Sequence, residues 1–205
     1  MKKIAQGLQF NIYLRDDNKI IKIPTSNIQI LFKLLSWNPF FLFKPILFKK
    51  TIRKTISDRK ESIENIQKIK LNKKILANPI FKIKEIEQDK VKVLGKYLKK
   101  DFNEAKKYID KYIDLTFESW SYGFSDKIFN LTINSGIDKF NNVVLIDFGE
   151  LTFKKKDVAT AIKNIRWEKS WSFKRDLNKE IKKYYKNRMK EKLTLSNLDR
   201  FWKSH

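Results

Sequence analysis

Along the first two dozen residues, apolar positions come in short runs broken by turn residues. Residues 3–13 (KIAQGLQFNIY) and 19–23 (KIIKI) predict two strands, joined by the turn Arg15-Asp16-Asp17-Asn18 and closed by Pro24. The most apolar stretch of the chain, Ile28 to Phe48, carries Pro39 near its middle and predicts a helix, a turn and a second helix. From Thr51 to about Leu71, Ile52, Ile56, Ile63 and Ile66 fall on one face at 100° per residue, the signature of an amphipathic helix. Asn78-Pro79 breaks that pattern. A second hairpin is expected over Ile80–Glu87 and Lys90–Leu94, turning at Gln88-Asp89. Residues 102–120 are helical again, with Phe102, Ala105, Ile109, Tyr112 and Ile113 along the apolar stripe.

Further on, Val143-Val144-Leu145-Ile146 is a short β-branched run and predicts a buried strand. The segment Asn134–Asn142 before it reads as a hairpin loop, with Gly136 and Asn141-Asn142 as turn residues. Two or more basic helices are expected, at about 155–165 and 174–192, and Ser196-Asn197 opens a last turn. The order is strands, one helix, strands, then mostly helix. That predicts an α+β fold with a small antiparallel-sheet first lobe (residues 1–97) and a reduced, mostly helical second lobe (98–205).

Composition narrows the chemistry. The 205 residues include no cysteine, which excludes a disulfide framework, a zinc ribbon and a thiol nucleophile. The single histidine is His205, so a histidine base or a multi-histidine metal site is excluded as well. Forty-six basic residues against 23 acidic ones give a net charge of +23, a field that favours anionic partners. Most of those cations are lysine, whereas surfaces that read phosphates or bases favour the arginine fork. A lysine-rich nucleic-acid-binding domain therefore stays as a lesser alternative. Lys33, Pro39, Lys44 and Pro45 interrupt the apolar stretch, which argues against a spanning helix of about 20 residues. Met1-Lys-Lys runs at once into a strand-like segment, unlike a signal peptide. A cytoplasmic protein is the expectation, with a peripheral place at the membrane as the alternative.

The sharpest motif is the run Val143–Ile146 followed by Asp147-Phe148-Gly149. A buried strand ending in this tripeptide sets a carboxylate where it can take a hard, oxygen-seeking Mg²⁺, and Gly149 lets the backbone turn away. Upstream lies Asn130, in Ser125-Asp126-Lys127-Ile128-Phe129-Asn130. At the other end of the chain, Gly7 in Ala5-Gln6-Gly7-Leu8-Gln9-Phe10 allows close backbone approach to a phosphate. Lys22 points from a mostly apolar strand, an expensive place for a cation unless it meets an anion.

Single-glycine loop, lysine strand, helix with glutamate, second hairpin, Asn, then Asp-Phe-Gly: this order resembles the protein-kinase-like superfamily over about residues 3–165. No alanine-proline-glutamate motif follows, so the chain is most similar to compact relatives such as aminoglycoside phosphotransferases, Rio kinases and lipopolysaccharide kinases. The resemblance implies a bilobal kinase-like fold that binds ATP and Mg²⁺. It implies Gly7 and Lys22 at the phosphates, Glu64 (preferred to Glu61) orienting Lys22, and Asn130 and Asp147 as metal ligands. The catalytic pattern His-x-Asp-x-x-x-x-Asn is not kept: counting back from Asn130 reaches Ser125, and Asp126 is one residue out of register. Either Asp126 serves as the base from a shortened loop, or the base is gone and the protein is a pseudokinase acting as a nucleotide-binding or interaction module.

The acceptor hydroxyl, on a sugar, a lipid headgroup or a protein, is not indicated, and a monomer is expected. The aromatic stretch Phe32–Phe48, flanked by Lys33, Lys44, Lys49 and Lys50, has two readings: packed core, which is favoured, or contact with an anionic membrane surface. Trp167, Trp171 and Trp202 are expected to anchor helix packing.

Overall fold

A computed structural model of the chain describes residues 1–99 and 101–203, the side chains of Trp171 and Ser172 excepted. The expectation for the Trp171 side chain, and His205, lie outside the described residues. The fold is α+β, with a small antiparallel sheet and several helices. Two compact units emerge, one of Met1–Lys68 with Asn78–Lys90, the other of Ile69–Ala77 with the chain from Val91 onward. The second unit thus begins before residue 98 and also takes in the segment 69–77.

The first unit is built on a five-stranded antiparallel sheet of β1 (Lys2–Gln6), β2 (Phe10–Leu14), β3 (Lys19–Pro24), β4 (Ile80–Phe81) and β5 (Ile86–Asp89), in the order β1-β2-β3-β5-β4. The turn over Arg15–Asn18 is as the pattern predicts, with Asn18 in the left-handed region at φ 60°. Residues 3–13 are not one strand, however: the chain folds back after Gln6, and β1 pairs antiparallel with β2. Helices α1 (Asn27–Trp37) and α2 (Pro45–Lys68) follow β3, separated by a 3-10 turn at Pro39–Phe43. Ser26 and Gln29 cap α1 reciprocally, satisfying two backbone donors that the helix cannot. Phe10, Ile21, Ile30, Leu34, Ile66 and Ile86 form this unit's core.

Two further expectations are corrected in this unit. The second hairpin does not turn at Gln88-Asp89. Its turn is at 82–85, closed by Lys82 N–H to the Glu85 carbonyl (2.9 Å), and Glu87 and Gln88 are buried inside β5. Glu87 tolerates that place because Arg15 (3.0 Å) and Lys82 (3.3 Å) neutralise it, holding its carboxyl below the usual range. Nor is the aromatic stretch core: only Ile30 and Leu34 of α1 are buried, while Phe32, Trp37, Phe40 and Phe43 are exposed. A helix apolar on every side can bury only the face that meets the sheet.

The second unit centres on α3 (Phe102–Ser121), capped by Asp101 accepting from Glu104 N–H at 2.7 Å. Ile109, Tyr112, Ile113 and Trp120 make its buried stripe. Strands β6 (Lys92–Val93), β8 (Ser135–Ile137) and β9 (Val143–Leu145) form an antiparallel sheet in the order β6-β8-β9. Lys92–Val93 therefore pairs with Ile137–Gly136 and not with the strand before it. The loop of the β8–β9 hairpin is shorter than expected. Gly136 is a strand residue, and a Cβ there would stand 2.5 Å from Val91 Cγ2, so close strand packing demands the glycine.

Two further short strands, β7 (Ser125–Asp126) and β10 (Leu151–Thr152), pair antiparallel, and the single turn α4 (Leu131–Asn134) lies between β7 and β8. From Lys155 onward the described chain is helical: α5 (Lys155–Lys163), α6 (Arg166–Lys169), α7 (Trp171–Asp176), α8 (Lys179–Lys192) and α9 (Leu195–Phe201). Trp167 is buried edge-on to Phe129 at 5.9 Å, the packing role expected of it. No helix among the described residues is long and apolar enough to cross a membrane.

Candidate functional site

In the first unit Lys22 lies on β3, paired in register with Ile12 of β2 and Ile86 of β5. It is 5% exposed, with its ammonium 5.8 Å from the centre of the Phe10 ring. The same ring carries the Arg59 guanidinium, also at 5.8 Å. Arg59 reaches from α2 to donate to the carbonyls of Gln9 (2.6 Å) and Thr25 (3.1 Å), tying the β1–β2 turn to the end of β3. Burial lowers the pKa of that guanidinium from its ordinary value. Two cations thus share one aromatic ring beside the turn containing Gly7.

The carboxylate chosen to orient Lys22 is placed elsewhere. The inward face of α2 runs through Thr55, half-buried Arg59, Ser62 and Ile66, a rotation from the isoleucine face read in the sequence. Glu64 points away from it, exposed, and its ion pair is with Lys60 at 3.7 Å. Arg59 is the residue that pattern reading missed, because arginine on an amphipathic helix reads as solvent-facing.

Gly7 starts the β1–β2 turn, with its N–H donating to the Phe10 carbonyl at 2.8 Å. A Cβ there would meet that carbonyl oxygen at 3.4 Å, an ordinary contact. The protein's own packing therefore does not require glycine. Gly7→Ala is expected to keep or raise the melting temperature, since removing glycine's freedom in the unfolded chain is worth ~0.4–1 kcal/mol at a compatible site. If a phosphate lies against this backbone, the same change weakens ATP binding. Calorimetric titration of both proteins checks it, and equal affinities would remove Gly7 from the site.

The second unit gathers the remaining candidates. β7–β10 pairing sets Asp126 opposite Leu151, and Lys127 N–H donates to the Glu150 carbonyl at 2.8 Å. The chain after Asp147-Phe148-Gly149 is thereby held against Asp126. Phe148 is fully buried as the anchor, while Asp147 is half-buried and accepts from Gly149 N–H at 2.9 Å. Asp126 is 5% exposed and accepts three hydrogen bonds, from Ile128 N–H (2.9 Å), Asn130 N–H (3.0 Å) and Asn134 Nδ2 (3.1 Å).

Asn134 Nδ2 also donates to Glu150 Oε2 at 3.2 Å, so one side-chain amide joins two carboxylates. Its backbone carbonyl accepts from Ile146 N–H at 2.8 Å, fixing it beside the strand that leads to Asp147. Asn130 has a different place: it precedes α4, and its side-chain oxygen accepts from Thr132 Oγ1 at 3.4 Å. Asn134 and Glu150 were not among the sequence candidates. Glu150 directly follows Asp-Phe-Gly and could have been noticed there, but Asn134 was absorbed into an expected loop.

Electrostatically the cluster is short of positive charge. Burial, with the Asp147 charge adding to it, pushes the Asp126 carboxyl up to about 6. Burial and the charges of Asp126 and Asp147 push Glu150 up to about 7. Among the described residues no group of three His, Cys, Asp or Glu side chains converges on one point as a ready metal cage. A magnesium ion in a nucleotide site instead takes one or two carboxylates, with phosphates and waters completing its shell. Asp147 with Asn134 beside it suits that oxygen-donor demand. The chain matches no known family model, and no curated protein matches it significantly.

Proposed function

We propose that this chain is a compact, bilobal, kinase-like phosphotransferase dependent on ATP and Mg²⁺, acting on a hydroxyl acceptor. The observation that carries the reading is the β7–β10 pairing, which gathers Asp126, Asn134 and Glu150 beside Asp147-Phe148-Gly149. In this reading Asp147 and Asn134 would hold the metal, Asn134 taking the part that the family resemblance assigned to Asn130. Mg²⁺ held by these two residues would supply positive charge to offset that of the phosphates. Lys22 and the Gly7 turn serve the phosphates, and Arg59 fixes that turn. Asp126, at about 6, keeps a free acceptor position beyond its three hydrogen bonds. It takes the proton of the acceptor hydroxyl as that oxygen bonds to the γ-phosphorus and ADP leaves.

A second reading has its own support. Asp126 is almost wholly buried and its bonds brace the 126–134 loop, which suits a pseudokinase that binds nucleotide without transferring phosphate. Both readings require ATP binding. Mg-ATP at ten times its dissociation constant is expected to add about 1.4 kcal/mol of stability, a rise of about 3–6 °C in melting temperature. Asp147→Asn should remove the magnesium-dependent part. If ATP, ADP and GTP, with and without magnesium, all leave the transition unmoved, the nucleotide reading falls.

A further inference from the structure

We propose that the segment from α1 through the start of α2 is a docking surface for an anionic lipid bilayer. This does not rest on the phosphotransferase reading. The end of α1, the connection and the start of α2 carry Trp37, Phe40, Leu42, Phe43, Ile46 and Leu47 on their outside, with Phe43 81% and Ile46 85% exposed. So many large apolar side chains, close in sequence and facing water, form a patch of the kind that marks an interaction site. Phe41 and Phe48, half-buried and stacked at 5.3 Å, brace it from behind.

Charge identifies the occupant. Lys33, Lys44, Lys49, Lys50, Arg53 and Lys54 surround the patch, and no acidic residue occurs anywhere between Asp17 and Asp58. Ile46 itself lines one cleft with Lys49, Lys50, Arg53 and Lys54. The first turn of α2 contains no acidic residue either, so the positive end of its dipole also faces outward unneutralised. An anionic bilayer answers both features at once. Apolar side chains of an interfacial segment enter to a depth of about 5–10 Å, while lysine stems extend along them and leave their ammonium groups among the headgroup phosphates.

Other occupants answer only one feature. A second copy would bring its own share of a +23 net charge against these lysines. A nucleic acid would satisfy the cations, but Leu42, Ile46 and Leu47 offer it no stacking face and would remain in water.

The test is co-sedimentation of the full chain with two vesicle preparations, phosphatidylcholine alone and phosphatidylcholine with phosphatidylserine at about 3:1. Binding to the anionic vesicles is expected to be at least tenfold tighter. Phe40→Ser, Phe43→Ser and Ile46→Ser together should lower it more than tenfold at an unchanged melting temperature, because these side chains are exposed. Lys49→Gln with Lys50→Gln should lower it about fivefold per lysine, and only on the anionic vesicles. Absent binding, or equal binding to both preparations, overturns the proposal. So does a lower melting temperature in the serine variant, which would make the patch packed structure. Single-stranded polynucleotide binding that survives the serine changes assigns the cations to nucleic acid. A concentration-dependent dimer abolished by those changes assigns the patch to a second copy.

Discussion

Asp126→Asn is expected to lower phosphoryl transfer by about 10²–10⁴, the usual loss on removing a general base, while Mg-ATP affinity stays near the parent value. In the proposed mechanism the carboxylate takes the acceptor's proton and hardly touches ATP. The variant also carries a structural cost that spacing alone did not disclose. Oδ1 accepts from Ile128 N–H, and Oδ2 from Asn130 N–H and Asn134 Nδ2. Whichever way an asparagine amide faces, its NH₂ meets at least one of those donors, and a buried lost bond costs about 1–3 kcal/mol.

A melting temperature lower by about 3–10 °C should therefore accompany the loss of transfer. Assays belong well below that temperature, with the folded fraction counted by ATP titration. Ser125→Ala is the control. It strips Trp120 Nε1–H of its acceptor at 3.1 Å, so it costs some stability but no turnover. Transfer that survives Asp126→Asn intact rejects the base. Loss of ATP binding together with transfer assigns Asp126 to bracing the loop alone.

Glu150→Gln is expected to stabilise the metal-free protein by about 2–3 kcal/mol at pH 8 and by little at pH 4.5. The folded-state pKa of Glu150 is raised from 4.5 to about 7 and that of Asp126 from 3.8 to about 6, in both cases chiefly by burial. Between those limits the folded chain holds more protons than the unfolded one. The contribution of these groups to stability is therefore greatest at low pH and declines as pH rises through about 7. Glutamine removes the charge and keeps an oxygen for Asn134 Nδ2, which donates to Glu150 Oε2 at 3.2 Å.

The difference between variant and parent, from melts across pH 4.5–8, isolates this site from the other carboxylates. At pH 8 it corresponds to about 5–10 °C. Saturating magnesium should flatten the parent's pH dependence in the same direction, since a cation offsets the same repulsion. A difference that stays constant with pH would show that Glu150 carries no buried charge.

Much of the scaffold was legible because it follows from local pattern. The turn before Lys22, the 102–120 helix and the Val143 strand each announce themselves by period and turn residues, whereas the fold-back at Gly7 that divides residues 3–13 into two strands does not. The second hairpin did not. Gln88-Asp89 looks like a turn, yet β5 runs through Asp89, because Arg15 and Lys82 neutralise Glu87 inside the sheet. On α2 the isoleucines suggested one inward face, yet Arg59 and Ser62 turn inward, Arg59 donating to the carbonyls of Gln9 and Thr25.

The sequence by itself determined the α+β class, the buried position of Lys22 and the strand that delivers Asp147. Those depend on residues near in the chain, where propensity and periodicity act directly. Tertiary structure alone decided that Asn134 joins Asp126 to Glu150, that Glu64 faces away with Lys60, and that the aromatic stretch lies on the surface. Hydrogen bonds between side chains and burial of one helix face over another depend on which elements meet. That meeting is settled by packing the whole chain, and no local window of residues contains it.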